Sequence, residues 1–127
     1  MLMKKVTMNL TSNKIMTKPE LIKYYDYLNE NKFRVFDSLH KLKNNRELKL
    51  SNLLNGDILF FDVVSQIDNL TLDLNKISEK NNELIKNSDD LNLIKGHLEF
   101  YAKRLDDIVL YIEYLNETID RQKYWKI

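Results

Sequence analysis

The chain contains no cysteine, one proline and two glycines among its 127 residues. Without cysteine, thiol catalysis, disulfide frameworks and Cys-ligated zinc sites are excluded. The scarcity of turn-forming residues favours a few long elements with short connections over many strands. No apolar run approaches the roughly 20 residues that a membrane span requires, and the start of the chain lacks the apolar core of a signal peptide. We therefore expect a cytoplasmic protein that makes no contact with membranes.

The motifs of enzymes are missing as well. The two glycines, Gly56 and Gly96, are too far apart to build a phosphate-binding loop. The two histidines, His40 and His97, do not occur in the HExxH or ExxH patterns found in helical metal sites. We therefore predict a protein without enzymatic activity and without a metal or other cofactor.

Alanine, the best helix former, occurs only once, at Ala102. Lysine, asparagine and isoleucine are abundant instead, a composition typical of AT-rich genomes such as those of low-GC bacteria and their phages. This bias supports the hypothesis of a small protein that is encoded by a phage or mobile element and acts on host machinery.

The chain does contain a repeated spacing of apolar residues. From Leu91 to Gln122 they recur at alternating steps of three and four, which is the heptad seam of a long amphipathic helix. Similar seams run from Leu21 to Leu42 and from Phe60 to Leu84. We predict an all-α fold, a three-helix antiparallel bundle with coiled-coil-like heptad packing and a long C-terminal helix. The predicted helices lie near 17–44, 57–86 and 89–124.

The start of the first helix is marked by a capping box. Thr17 and Glu20 have the required spacing, and Pro19 lies in the first turn, where its missing N–H costs nothing. We predict a flexible N-terminal tail over 1–16 and a single helical domain over 17–127, since a chain of this length fits one domain.

The connections between helices are predicted from turn-forming residues. A cluster of Asn, Ser, Gly and Asp between 44 and 57 marks the first reversal, and its leucines predict a connector packed over one end of the bundle. At the second reversal, Ser88 is the predicted cap, with Asp89 and Asp90 in the first turn of the last helix.

Polar residues interrupt two of the seams. In the first helix the predicted seam includes Tyr25, and Lys32 follows at a later seam position, where we predict that its ammonium group extends to the rim. In the second helix Asn81 occupies a seam position. It either fixes the register of the bundle or marks a frayed helix end.

Charge is distributed unevenly along the chain. Residues 1–56 carry 11 Lys and Arg against five Asp and Glu, whereas residues 57–127 carry nine against 14, so the net charge is +1. We define a basic patch in the first half: Lys32, Arg34, Lys41, Lys43, Arg46 and Lys49. We define an acidic stripe on the last helix: Glu99, Asp106, Glu113 and Asp120.

These charges allow three interpretations. If the first and last helices are neighbours, the basic patch and the acidic stripe face each other across a rim, or both are simply solvated. Alternatively, the basic patch binds the phosphate backbone of RNA or DNA. The third interpretation is that the acidic stripe imitates nucleic acid toward a protein partner.

A second apolar stripe lies on the last helix, opposite its seam. We call Leu93, Phe100, Leu110 and Tyr114 the outer stripe. It is either buried by a further layer of packing or exposed as a contact surface, for which its aromatic content is typical. The predicted partner-binding residues are Leu93, Phe100, Leu110, Tyr111, Tyr114, Tyr124 and Trp125.

Three hypotheses for function follow from these observations. The first is a non-enzymatic protein–protein binding module, an adaptor or small inhibitor that acts by occlusion through its C-terminal helix. The second is a structural coiled-coil homo-oligomer. The third is nucleic-acid binding through the basic first half.

Overall fold

The computed structural model describes residues 16–45 and 60–124, with the backbone alone for residues 60, 61 and 122–124. The described residues form three α-helices, α1 (Lys18–Lys43), α2 (Phe60–Asn87) and α3 (Leu91–Tyr124). Each helix packs against the other two. The prediction of an all-α three-helix bundle with a long last helix is therefore confirmed.

The helices alternate in direction. The Lys43–Asp68 ion pair (2.9 Å) and the Lys18–Asp89 ion pair (3.1 Å) join opposite ends of α1 to opposite parts of the α2–α3 hairpin, so α1 and α2 are antiparallel. Only three residues separate α2 from α3. Because two reversals restore the original direction, α1 and α3 run parallel to each other.

Helix α1 begins at the capping box that the sequence predicts. The Thr17 backbone amide donates to Glu20 Oε1 at 3.1 Å, and the Glu20 amide donates to Thr17 Oγ1 at 3.4 Å. Met16, just before the cap, packs against the core. The rest of the predicted N-terminal tail and the predicted connector after residue 45 lie outside the described residues.

The cap of α3 differs from the prediction. Asp90, not Ser88, occupies the position before the helix, where its Oδ1 accepts a hydrogen bond from the Leu93 amide at 3.1 Å. Ser88 supports the turn instead, because its Oγ accepts from the Asp90 amide at 3.1 Å. Lys18 Nζ donates to the Ser88 carbonyl oxygen at 2.9 Å and thereby attaches the start of α1 to this turn.

The seam of α3 forms the centre of the core. Leu98, Tyr101 and Leu105 are fully buried, and the seam continues without interruption from Ile94 to Ile119. Helix α2 contributes its predicted seam as well, with Leu74 fully buried. A helix of 34 residues at about 1.5 Å per residue is roughly 51 Å long, so α3 provides the longest continuous surface in the bundle.

The seam of α1 lies one residue earlier than predicted at two positions. Tyr24 and Asn31 are buried, whereas Tyr25 and Lys32 are only partly covered. Asn31 tolerates burial because its Nδ2 donates to the Tyr27 carbonyl oxygen at 2.9 Å. A lysine ammonium at the same depth would need a charged partner, which explains why Lys32 turns to the rim.

No helix of the described residues combines the length and the hydrophobicity that crossing a membrane requires.

Candidate interaction surface on the third helix

The outer stripe of α3 is exposed. The exposed fractions are 43% for Leu93, 56% for Phe100, 53% for Leu110 and 54% for Tyr114. No described element covers this face, so the interpretation that a further layer of helices buries it is wrong for the described residues. Exposed large apolar side chains that share one helix face are typical of interaction sites.

Two charged residues divide the outer stripe into halves. Lys103 and Asp107 lie on the same face between Phe100 and Leu110, and both are exposed. The half nearer the α2–α3 turn contains Leu93 and Phe100, and the other half contains Leu110 and Tyr114. The surface therefore combines apolar anchors with a central pair of opposite charges, which favours one orientation of a partner over others.

A groove of about 680 Å³ adjoins the half nearer the turn. Helix α2 forms one wall and α3 forms the other, and the groove is partly open to solvent. Its residues combine apolar side chains with cationic and amide groups, and none is acidic. They are Lys76, Ile77, Lys80, Asn81, Asn92, Leu93, Gly96, His97 and Phe100.

Gly96 lies in the α3 wall of this groove. A Cβ atom built at this position meets no heavy atom within 4 Å, apart from those of its own chain neighbours and helix backbone. Packing within the described bundle therefore does not require a glycine here. Glycine within a helix costs about 1 kcal/mol relative to alanine, so Gly96 lowers the stability of the helix without a packing gain among the described residues.

Asn81 lies in the α2 wall and is buried, with only 2% of its surface exposed. Its Nδ2 donates to the Ile77 carbonyl oxygen at 2.8 Å, whereas its Oδ1 accepts no hydrogen bond from any described residue. The interpretation of Asn81 as part of a frayed end is wrong, because α2 continues to Asn87. A buried acceptor without a donor costs roughly 1–3 kcal/mol.

The remaining predicted partner-binding residues lie elsewhere. Tyr111 is half-buried and packs against the core, and burial raises the pKa of its hydroxyl above the ordinary value, with a smaller contribution from Tyr114. Tyr111 therefore belongs to the edge of the core rather than to the exposed stripe. The side chain of Tyr124 and all of Trp125 lie outside the described residues.

The basic patch makes its ion pairs within the bundle. Lys41 Nζ lies 3.1 Å from Asp37 Oδ2 in the same helix, and Lys43 pairs with Asp68 of α2. Lys32 Nζ lies 4.9 Å from the ring centre of Phe33, a cation–π distance. Arg34 is exposed, and Arg46 and Lys49 lie outside the described residues.

The acidic stripe lies along the side of α3 that is next to the outer stripe. Glu99 and Asp120 are exposed, whereas Asp106 and Glu113 are half-buried. Since Lys41 and Lys43 pair with acids of α1 and α2, the predicted rim contact with the acidic stripe does not involve these two lysines. The nearest described cation–carboxylate contact between α2 and α3 joins Arg104 to Asp73 at 2.7 Å.

A polar cluster inside the bundle was not predicted from the sequence. Asn29 Oδ1 accepts hydrogen bonds from Ser78 Oγ (2.9 Å) and from the Tyr101 hydroxyl (2.8 Å). The Tyr25 hydroxyl donates to the Ser78 carbonyl oxygen at 3.1 Å. Burial raises the pKa of Tyr101 far above its ordinary value. The cluster joins all three helices, and its signals in the sequence were the two tyrosines at predicted seam positions, Tyr25 and Tyr101.

The described residues contain no group of three or more His, Cys, Asp and Glu side chains that could hold a metal ion. Comparison of the chain with protein-family models, with curated proteins and with solved structures finds no match. The outer face of α3 carries four of the eight large apolar side chains that are exposed among the described residues, and the groove adjoins it.

Proposed function

We propose that this protein is a non-enzymatic binding module that docks another protein on the outer face of α3. It acts as an adaptor, or as a small inhibitor that occludes a surface of its partner. The observation that carries the proposal is the exposure of the outer stripe, in which four large apolar side chains are each about half exposed on one helix. Covering such side chains is favourable by about 25 cal/mol per Å² of apolar area.

The composition of the outer face supports a protein partner. Interface energies concentrate in a few aromatic anchors surrounded by weaker contacts, and Phe100 and Tyr114 supply one such anchor in each half of the stripe. The central Lys103 and Asp107 add polar groups that orient a partner. The basic patch gives less support to nucleic-acid binding, because Lys41 and Lys43 are already paired with Asp37 and Asp68.

Site-specific photo-crosslinking tests the proposal. A photoreactive phenylalanine analogue replaces Phe100 in one variant and Phe33 in a matched control, since Phe33 is a phenylalanine of α1 that is 63% exposed. In the cells that carry the gene, we expect a discrete protein adduct from position 100 and none from position 33. Equal adducts at both positions, or none at either, would contradict the proposal.

A pair of double variants provides the second arm. Phe100→Ala with Tyr114→Ala is expected to abolish the adduct formed by a third reactive position at Leu110. The matched double variant, Phe33→Ala with Leu72→Ala, removes two similarly exposed apolar side chains from α1 and α2 and should leave the adduct unchanged. Both variants should keep the circular dichroism of the wild type, and loss of helicity in the first would count against a purely surface function.

A further inference from the structure

We infer that the partner inserts an acidic amphipathic helix into the groove between α2 and α3, with the closest approach at Gly96. This inference names the chemistry of the partner, and it rests on the proposed function. Its starting point is the charge of the groove. Lys76 and Lys80 line the α2 wall, His97 lines the α3 wall, and no acidic residue lines either wall.

The sign of this charge is a local property of the groove. The chain as a whole is almost neutral, and residues 57–127 carry an excess of acidic groups. A region with two lysines and no carboxylate in the acidic part of the chain attracts carboxylates and disfavours basic segments, since like charges across an interface are repulsive. Charge complementarity therefore selects an acidic occupant.

Gly96 indicates that the occupant is a helix. Packing among the described residues gives no reason for a glycine at this position, because a Cβ atom there would meet open space. A residue without a side chain allows another helix backbone to approach α3 closely, as small residues do at tight helix–helix contacts. The stability that is lost at Gly96 is then offset when the partner helix packs against it.

The apolar residues of the groove match the periodicity of a helix. Leu93 and Phe100 are two turns apart on α3, and Ile77 faces the groove from α2. About 10 Å of helix axis separates Leu93 from Phe100, which is enough to hold two turns of a partner helix. Apolar residues spaced at i, i+3, i+4 and i+7 on that helix would contact these three side chains, and its carboxylates would lie toward Lys76 and Lys80.

The test uses two synthetic peptides and the full chain. The acidic probe is a fluorescent 18-residue helical peptide with leucine at the i, i+3, i+4 and i+7 positions and glutamate on its flanks. The basic probe carries lysine in place of every glutamate. Fluorescence anisotropy at low salt should give a dissociation constant for the acidic peptide that is at least about tenfold lower than for the basic one.

Charge-reversed variants locate the binding site. Lys76→Glu with Lys80→Glu should abolish or invert the preference between the two peptides. The matched control, Lys23→Glu with Lys86→Glu, changes the net charge equally at two exposed lysines outside the groove and should keep the preference. An equal loss in both double variants would show a non-specific charge effect and overturn the inference.

Filling the groove is the independent test of its shape. Gly96→Leu places a side chain in open space, so the protein should remain folded by circular dichroism while its affinity for the acidic peptide falls at least about tenfold. Unchanged affinity would overturn the inference. Two other outcomes would also overturn the inference. In the first, dodecanoate competes with the peptide and still binds the Gly96→Leu variant. In the second, this chain forms a dimer that Gly96→Leu dissociates, and neither peptide is preferred.

The inference and the proposed function fail in different ways. An adduct from position 100 together with no preference between the peptides would leave the outer face as a protein-binding surface but overturn the acidic helix. Equal adducts at positions 100 and 33, or none at either, would overturn both.

Discussion

The two apolar faces of α3 have similar residues but opposite environments. Leu98 and Leu105 on the inner seam are fully buried, whereas Leu93 and Leu110 on the outer stripe are about half exposed. The inner seam continues through Tyr101, whose polar atom has a hydrogen-bond partner in α1. The outer stripe is interrupted by two exposed charged residues, Lys103 and Asp107, and by the exposed Gly96.

This difference shows what an apolar repeat does and does not reveal. A face that must exclude water completely tolerates a polar atom only where a partner satisfies it. A face that is covered for part of the time can retain charges, because they stay hydrated until a partner arrives. The interruptions of a stripe are therefore as informative as its apolar residues.

The largest expected difference in the free energy of unfolding is between two variants that each truncate a leucine to alanine. Leu105→Ala removes a fully buried side chain and should lower the free energy of unfolding by about 2–5 kcal/mol. Leu110→Ala removes an exposed leucine of the same helix and should change it by about 0.5 kcal/mol or less. Urea unfolding followed by circular dichroism, at a low protein concentration, measures both. Similar losses in the two variants would mean that the outer face is buried after all.

Alkaline pH should reveal the burial of the inner face. Because burial raises the pKa of Tyr101 in the folded chain, the folded state holds this proton more tightly than the unfolded state. The contribution of this proton to the free energy of unfolding is complete below the ordinary tyrosine pKa. It is lost as pH rises above that value, by at most about 1.4 kcal/mol per pH unit. Above pH 10, the free energy of unfolding of Tyr101→Phe should fall less steeply with pH than that of the wild type. Identical slopes would show that Tyr101 ionises freely.

At neutral pH the hydroxyl of Tyr101 should make a smaller contribution to the free energy of unfolding. Tyr101→Phe removes the donor to Asn29 Oδ1 and should lower the free energy of unfolding by about 1 kcal/mol. Tyr114→Phe, on the outer stripe, should leave it almost unchanged, because that side chain is exposed. Thermal unfolding of the two variants side by side gives the comparison, and a larger loss for Tyr114→Phe would reverse the assignment of the two faces.

The last expected effect is a gain in stability. Gly96→Ala should raise the free energy of unfolding by about 1 kcal/mol, because alanine is the better helix former and its Cβ meets open space. The same substitution should weaken binding, because the added Cβ keeps the partner helix further from α3. Stability and affinity should therefore change in opposite directions. Destabilisation by alanine would show that the fold itself requires the glycine.

Much of this fold follows from periodicity alone. The spacing of apolar residues predicts three helices, and the capping box predicts the start of α1, because both depend on residues close together in the chain. The predicted seam of α1 is wrong at Tyr25 and Lys32 because a step of three and a step of four lead to neighbouring residues, and packing against the other helices decides between them. Periodicity gives a face of a helix but not the depth of each side chain within it.

The candidate surface was only partly predictable. The sequence identifies the outer stripe, but its exposure depends on how many helices surround α3, which is a property of the assembled bundle. The groove lies between two helices, so Lys76 and Phe100 come together only in the folded chain. The polar cluster is similar, since Asn29, Ser78 and Tyr101 belong to three different helices.

That polar cluster constrains how the length of this chain can change. Asn29 receives hydrogen bonds from Ser78 and Tyr101, which fixes the distance of both donors from the turn between α2 and α3. An insertion of seven residues between Ser78 and the turn would move one donor by two helical turns, unless α3 gained the same length before Tyr101. Length changes in this hairpin should therefore occur in matched pairs, whereas α2 and α3 can grow freely at their far ends.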